Sequence, residues 1–146
     1  VTNRAAYFDA SALVKMYVQE THSIQVAALY ESLDIATCHN VGFVEVRAAL
    51  AMARRLHRLS DTQHAQQIVH FTTDWESVST MTADHPLLLR AVQLAEGFSL
   101  RGYDALHLAS ADRFRQVMPD MLFVSFDIAI NRAARLLGYR CPDFSP

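Results

Sequence analysis

Lysine is almost missing from this chain: Lys15 stands alone beside twelve arginines in 146 residues. Glycine and proline are scarce, at four each, and there are only two cysteines. Each shortage excludes something. So few glycines and prolines leave no linker, low-complexity tract or long disordered segment, and no internal repeat is visible. Cys38 and Cys141 form no CxxC motif and no metal spacing, which argues against a disulfide framework. The seven histidines are scattered without an HxH or HExxH pattern, so a zinc site is not expected. No secretory leader is evident, and the expected setting is the reducing cytoplasm. The apolar run VGFVEVRAALAMA is interrupted by Glu45 and Arg47. It is too short and too charged to span a bilayer, and no membrane association is expected. Net positive charge is also lacking. At −2 with histidine neutral, the chain does not hold nucleic acid by bulk charge. The arginine-dominated basic set suits bidentate phosphate contacts and equally fits a compositional bias.

What is present is enough hydrophobic sequence for one core, at 51% of residues. A chain of this length is expected to form a single domain over 1–146. An apolar run from Ala5 to Phe8 ends in Asp9. A helix follows, with Ser11 placed as its cap, and a second helix spans about Ser23 to Leu33. Ile35 to Cys38 reads as a strand. Asn40 then caps a long helix that carries Glu45 and runs to about Leu59, and Ser60 and Asp61 restart a helix to about Phe71. Ser77 to Met81 is a weaker strand. Thr82 or Asp84 caps the next helix, with Pro86 in its first turn. Gly97 and Gly102 bracket a gap before a helix from about Tyr103 to Arg115. Met121 to Phe126 reads as a buried strand ending in Asp127, and a last helix, Ile128 to Leu137, stops at Gly138. Strands alternating with helices predict an α/β fold with a parallel sheet covered on both faces.

The placement of acids carries the functional content. Asp9 and Asp127 follow predicted strands, which aims both at the carboxyl edge of the sheet, where open α/β sheets bind ligands. Glu45 and Asp104 sit near the starts of helices that begin at that edge, each among apolar neighbours. Any one of them has a structural explanation, as a helix cap or a dipole partner. Together they would repel: two unit charges ~4 Å apart in a partly buried site cost about 4 kcal/mol. A divalent cation is the simplest counter-charge. An all-oxygen set suits a hard ion, Mg²⁺ or Mn²⁺, and such ions serve phosphodiester hydrolysis.

Four segments resemble the motifs of PIN domains, above all VapC-type toxins: FDASALVKMYVQE, VEVRAAL, GYDALHLASA and FVSFDIAINRAARLLG. They occur in family order and span nearly the whole chain. The resemblance implies a three-layer α/β/α sandwich around a parallel sheet. It implies an endoribonuclease dependent on Mg²⁺ or Mn²⁺, with Asp9, Glu45, Asp104 and Asp127 as metal-binding and catalytic acids. It also implies a homodimer, and a cognate antitoxin that inserts a segment near the active site.

Supporting residues follow. Ser11 would hydrogen-bond Asp9 or a phosphate, or simply cap its helix. His107, one turn after Asp104, reads as a phosphate contact or proton donor, and more readily as a packed histidine. Arg101 and Arg132 lie near the motif ends and are candidates for RNA or antitoxin. Arg47, Arg54 and Arg58 form a stripe on the long helix, roughly opposite Glu45. Asp112 and Arg115 read as a solvated ion pair. Tyr17, Trp75, Phe98 and Tyr103 are possible base-stacking groups, with packing the plainer role.

Rival chemistries fit less well. An aspartyl phosphatase usually wants a second Asp two residues after the nucleophile, and Ser11 stands there. A phosphorylated receiver needs a late lysine, which is missing. The remaining alternatives are a housekeeping RNA-processing nuclease and an inactive scaffold that binds RNA or protein.

Overall fold

Strand β1, Ala5–Phe8, is buried along its whole length, as expected of a strand covered on both faces. Alternation sends its side chains into two cores. Ala5 and Tyr7 join Leu94, Leu108, Phe123 and Ile130. Ala6 and Phe8 join Leu13, Val26, Leu50 and Phe71. The structure is a computed structural model that describes residues 3–144. Val1, Thr2, Ser145 and Pro146, which the expected domain span includes, lie outside the described residues.

Three further strands, β2 (Ile35–His39), β3 (Ser79–Met81) and β4 (Leu122–Val124), pair in parallel in the order β3-β2-β1-β4. Helices α1 (Ala10–Leu13), α2 (Ser23–Glu31), α3 (Val41–Arg55) and α4 (Asp61–Trp75) supply the core on one face. Helices α5 (His85–Phe98), α6 (Gly102–Val117) and α7 (Ile128–Leu136) supply the other. The expected α/β/α sandwich is therefore what the chain forms. Fully burying a large apolar side chain such as Phe8, Leu50 or Phe123 contributes about 1.5–3 kcal/mol. Among the described residues, no helix is long and apolar enough to cross a membrane.

The strand order creates the site. The sheet grows from β1 to β2 to β3, and the chain then returns to add β4 on the free side of β1. That reversal is a topological switch point, where a crevice opens beyond the carboxyl ends of the strands. Asp9 follows β1 there, and Ser125 to Asp127 follow β4.

Several local expectations are corrected. Ser11 lies inside α1 and does not cap it; the cap is Asp9, whose side chain accepts from the Ala12 N–H. Strand β4 stops at Val124, because the next backbone groups turn to hydroxyls. The Phe126 N–H donates to Ser11 Oγ and the Asp127 N–H to Ser125 Oγ. Helix α3 ends at Arg55, where His57 takes a left-handed conformation and the N–H groups of Arg58 and Leu59 return to the Ala53 carbonyl. Arg58 thus leaves the proposed arginine stripe and faces Glu20 at 3.8 Å. Gly97 does not end a helix: α5 continues to Phe98, its last turn held by Ala95 and Phe98 against the core. Helix α4 extends one turn past Phe71 to Trp75 and starts with a full capping box from Ser60 and Gln63.

Candidate active site

Asp9 is 4% exposed, and a carboxylate that deep requires partners. It has three. Ser11 Oγ donates to Oδ1 at 2.7 Å, the Ala12 N–H donates to Oδ1 at 3.1 Å, and Ser125 Oγ donates to Oδ2 at 2.6 Å. All three are neutral. Burial pushes the Asp9 carboxyl above the ordinary aspartate range; the nearby His107 and the hydrogen bonds from Ser125, Ser11 and Ala12 act against that rise without cancelling it. The same hydroxyls tie Asp9 to the strand beside it, since they accept from Phe126 and Asp127.

Asp127 caps α7, accepting from the Ile130 N–H at 3.0 Å. Its other oxygen lies 3.5 Å from Nη2 of Arg101. Arg101 Nε in turn donates to Asp104 Oδ2 at 3.2 Å, in the first turn of α6. One guanidinium therefore lies between two of the expected acids, although its side chain is 82% exposed. Glu45 and Asp104 line a common cavity of about 680 Å³ with Arg101 and Tyr103, walled on its apolar side by Leu88 and Val92 of α5.

Glu45 is held separately. His107 Nε2 lies 2.5 Å from its Oε1, and His107 Nδ1 lies 2.7 Å from the hydroxyl of Tyr7. His39, at the end of β2, donates its backbone N–H to that hydroxyl at 3.0 Å. The His39 ring accepts the Val41 N–H through Nδ1, which leaves its proton on Nε2, a buried atom without a hydrogen-bond partner. Burial holds this imidazole below its ordinary range.

Three of the acids thus share one network, running from Asp9 through Ser125 to Asp127 and through Arg101 to Asp104, while Glu45 shares only the cavity with Asp104. As placed, no three of the described Asp, Glu, His or Cys side chains converge on a common point close enough to ligate one ion. The donor chemistry nonetheless fits a hard cation: every donor is a carboxylate oxygen. Arg101 is the positive charge that stands between Asp104 and Asp127.

A profile of the PIN domain matches residues 6–136. The chain belongs to the PIN-domain family. It is 34% identical over 134 residues to Ribonuclease VapC45 of Mycobacterium tuberculosis (strain CDC 1551 / Oshkosh) and to Ribonuclease VapC49 of Mycobacterium tuberculosis (strain ATCC 25618 / H37Rv), covering 92% of this chain and of each relative. The fold is also that of a toxin–antitoxin complex from Klebsiella pneumoniae, with TM-score 0.60, 18% identity and coverage of 84% of this chain and 86% of that one. A crystal structure of PAE2754 from Pyrobaculum aerophilum gives TM-score 0.65, 17% identity and coverage of 94% and 89%.

In this PIN-domain chain, Asp9, Glu45, Asp104, Asp127, Ser11, His107 and Arg101 meet at the sheet edge, whereas Arg132 lies exposed on α7 with no ion pair among the described residues. Asp112 and Arg115 do pair, at 3.6 Å, but not as a solvated couple. Arg90 and the Tyr139 hydroxyl also meet Asp112, and Arg115 stacks on the Tyr139 ring. Sequence reasoning missed Tyr7, His39 and Ser125. Ser125 had one available signal, a lone hydroxyl in an apolar strand two residues before an acid. Tyr7 read as an ordinary strand aromatic.

Proposed function

We propose that this chain is an endoribonuclease, dependent on Mg²⁺ or Mn²⁺, and the toxin of a bacterial toxin–antitoxin pair. The observation that carries the reading is the set of three acids, Asp9, Asp127 and Asp104, linked through Ser125 and Arg101 at the β1–β4 switch point, with Glu45 lining a shared cavity. The relatives named as ribonucleases support it, and the complex named as toxin–antitoxin suggests the partner.

Asp9, Asp104, Glu45 and Asp127 would hold the cation. When bound, it supplies positive charge to a phosphodiester and acidifies a nearby water. The rest falls to the chain. Ser11 and Ser125 fix both oxygens of Asp9. Glu45 spends Oε1 on His107 and keeps Oε2 to take the proton of the attacking water as that water's oxygen bonds to phosphorus and a P–O ester bond breaks, the leaving ribose oxygen taking a proton from solvent to depart as a hydroxyl. Arg101, mostly exposed at the rim, is placed to exchange an acid for a phosphate oxygen. Tyr103, 63% exposed at the mouth of the cavity, offers a face on which an unpaired base stacks.

Apolar side chains stand open around this region, among them Val44, Leu88, Leu89 and Val92. We read them as surface for a second copy or an antitoxin segment, in a single-domain, cytoplasmic protein.

The test is cleavage of a labelled, structured RNA pool by protein freed of any bound antitoxin. Mg²⁺ and Mn²⁺ should support cutting, EDTA should stop it, and Asp9→Asn should lower it at least ~100-fold, the scale of a lost general acid–base or electrostatic contribution. Cutting that survives EDTA and Asp9→Asn would remove this reading. Absence of both cutting and metal binding would favour the inactive scaffold.

A further inference from the structure

The hydrogen bonds that reach Glu45 have a definite direction. The His39 N–H donates to the Tyr7 hydroxyl, and that hydroxyl lies 2.7 Å from His107 Nδ1. Beside the Glu45 carboxylate, which only accepts, Nε2 is the nitrogen that carries a proton, and in a neutral imidazole Nδ1 is then the acceptor that faces the Tyr7 hydroxyl. The chain of donors runs from β2 through β1 and α6 to a carboxylate on α3.

Packing keeps this arrangement in place. Tyr7 is fully buried, stacks on Phe123 with ring planes 4° apart, and meets His107 edge-on. The His107 side chain is 2% exposed. A histidine that merely filled the core would satisfy its nitrogens with nearby backbone. Both nitrogens here are spent on side chains from distant parts of the chain, 100 and 62 positions away, and one of those is an acid of the site.

We propose that His107 is a positioning residue for Glu45: its Nε2–H, fixed by the Tyr7 hydroxyl, anchors Oε1 and turns Oε2 toward the substrate water. The consequence for rate rests on the nuclease reading; the tautomer does not.

The test uses the full chain labelled with ¹⁵N-histidine and with ¹³C at glutamate carboxyls, His107 and Glu45 being assigned from His107→Gln and Glu45→Gln. The expected wild-type spectrum shows His107 as the Nε2–H tautomer, and Tyr7→Phe should disturb both this pattern and the Glu45 carboxyl resonance. On a cleaved RNA, His107→Leu should lower kcat roughly 10–100-fold, the usual cost of losing a group that orients a site ligand, with KM little changed. His107→Gln, whose amide nitrogen takes the place of Nε2, should recover most of that loss. Tyr7→Phe, which removes one atom, should fall between and carries the kinetic test if His107→Leu does not fold. An Nδ1–H tautomer in the wild type would overturn the proposal. So would an unaltered kcat in both folded His107→Leu and Tyr7→Phe. A wild type that cuts no RNA with any ion would sink the nuclease reading, while the two resonances would still decide the hydrogen-bond chain.

Discussion

Asp9 carries a charge that the fold offsets only in part. Its carboxyl is raised by burial, so ionising it costs the native state more than the unfolded chain. The stability penalty is absent below the ordinary aspartate pKa of about 3.9, grows as pH rises toward the raised native value, and is complete above it. In chelator at neutral pH, Asp9→Asn should therefore raise Tm, since an amide keeps the oxygen that accepts from Ser11 and Ala12. The gain should fade as both proteins are acidified below the ordinary aspartate range. Thermal melts of the two proteins across pH in EDTA check this, and a variant less stable at neutral pH would show that the charge is already compensated. The acids were readable from sequence because each follows a strand or opens a helix. Tyr7, Ser125 and His39 were not, because their roles depend on which distant side chain each one meets. Ser11 was readable only as a hydroxyl in the right place, and its bond to Asp9 came with the structure.

Helix α3 starts so close to β2 that only glycine fits at its second position. A Cβ on Gly42 would lie 2.5 Å from Cys38 Sγ and 3.4 Å from the Trp75 ring. Alanine would favour the helix by about 1 kcal/mol, but overpacking a tight core costs about 1–3 kcal/mol. A side chain on a buried strand has little room to yield. Gly42→Ala should therefore lower stability by up to about 2 kcal/mol net, or roughly 4–8 °C in Tm at this size. Adding Cys38→Ala should return most of it, and a double-mutant cycle by thermal melt measures the coupling. Tight seating here matters for the site, because Glu45 is carried one turn further along α3. At this scale the sequence was mostly legible: among the described residues, seven α-helices and four strands fall where periodicity and caps placed them. The departures lie at ends. The predicted strand to Phe126 and helix to Leu59 were cut short by hydrogen bonds from Ser11, Ser125 and Ala53 that no local pattern encodes.

Strand order could not be read from the chain, yet it decides what the molecule holds together. Placing β4 beside β1 brings Asp127 to Asp9 and leaves a region of negative charge that Arg101 bridges. A divalent cation that binds only this native arrangement should stabilise it by mass action, by about 2.7 kcal/mol at 100 times its dissociation constant, or roughly 10 °C at this size. Asp104→Asn should remove most of the Mn²⁺-dependent shift. Arg101→Gln should enlarge it and lower Tm in chelator, since the resident counter-charge has gone. Titration calorimetry with Mn²⁺ checks both, and equal affinity in Arg101→Gln would show that the guanidinium does not compete for the acids. The hydrogen bond from Ser125 to Asp9 joins positions 116 apart. A ribosome making this protein from its amino end therefore finishes β1 through α6 while the acid centre still lacks one wall. If the chain is the toxin we propose, it is harmless while being translated and becomes active only when its last strand and helix dock, which leaves a window for an antitoxin already present to meet it first.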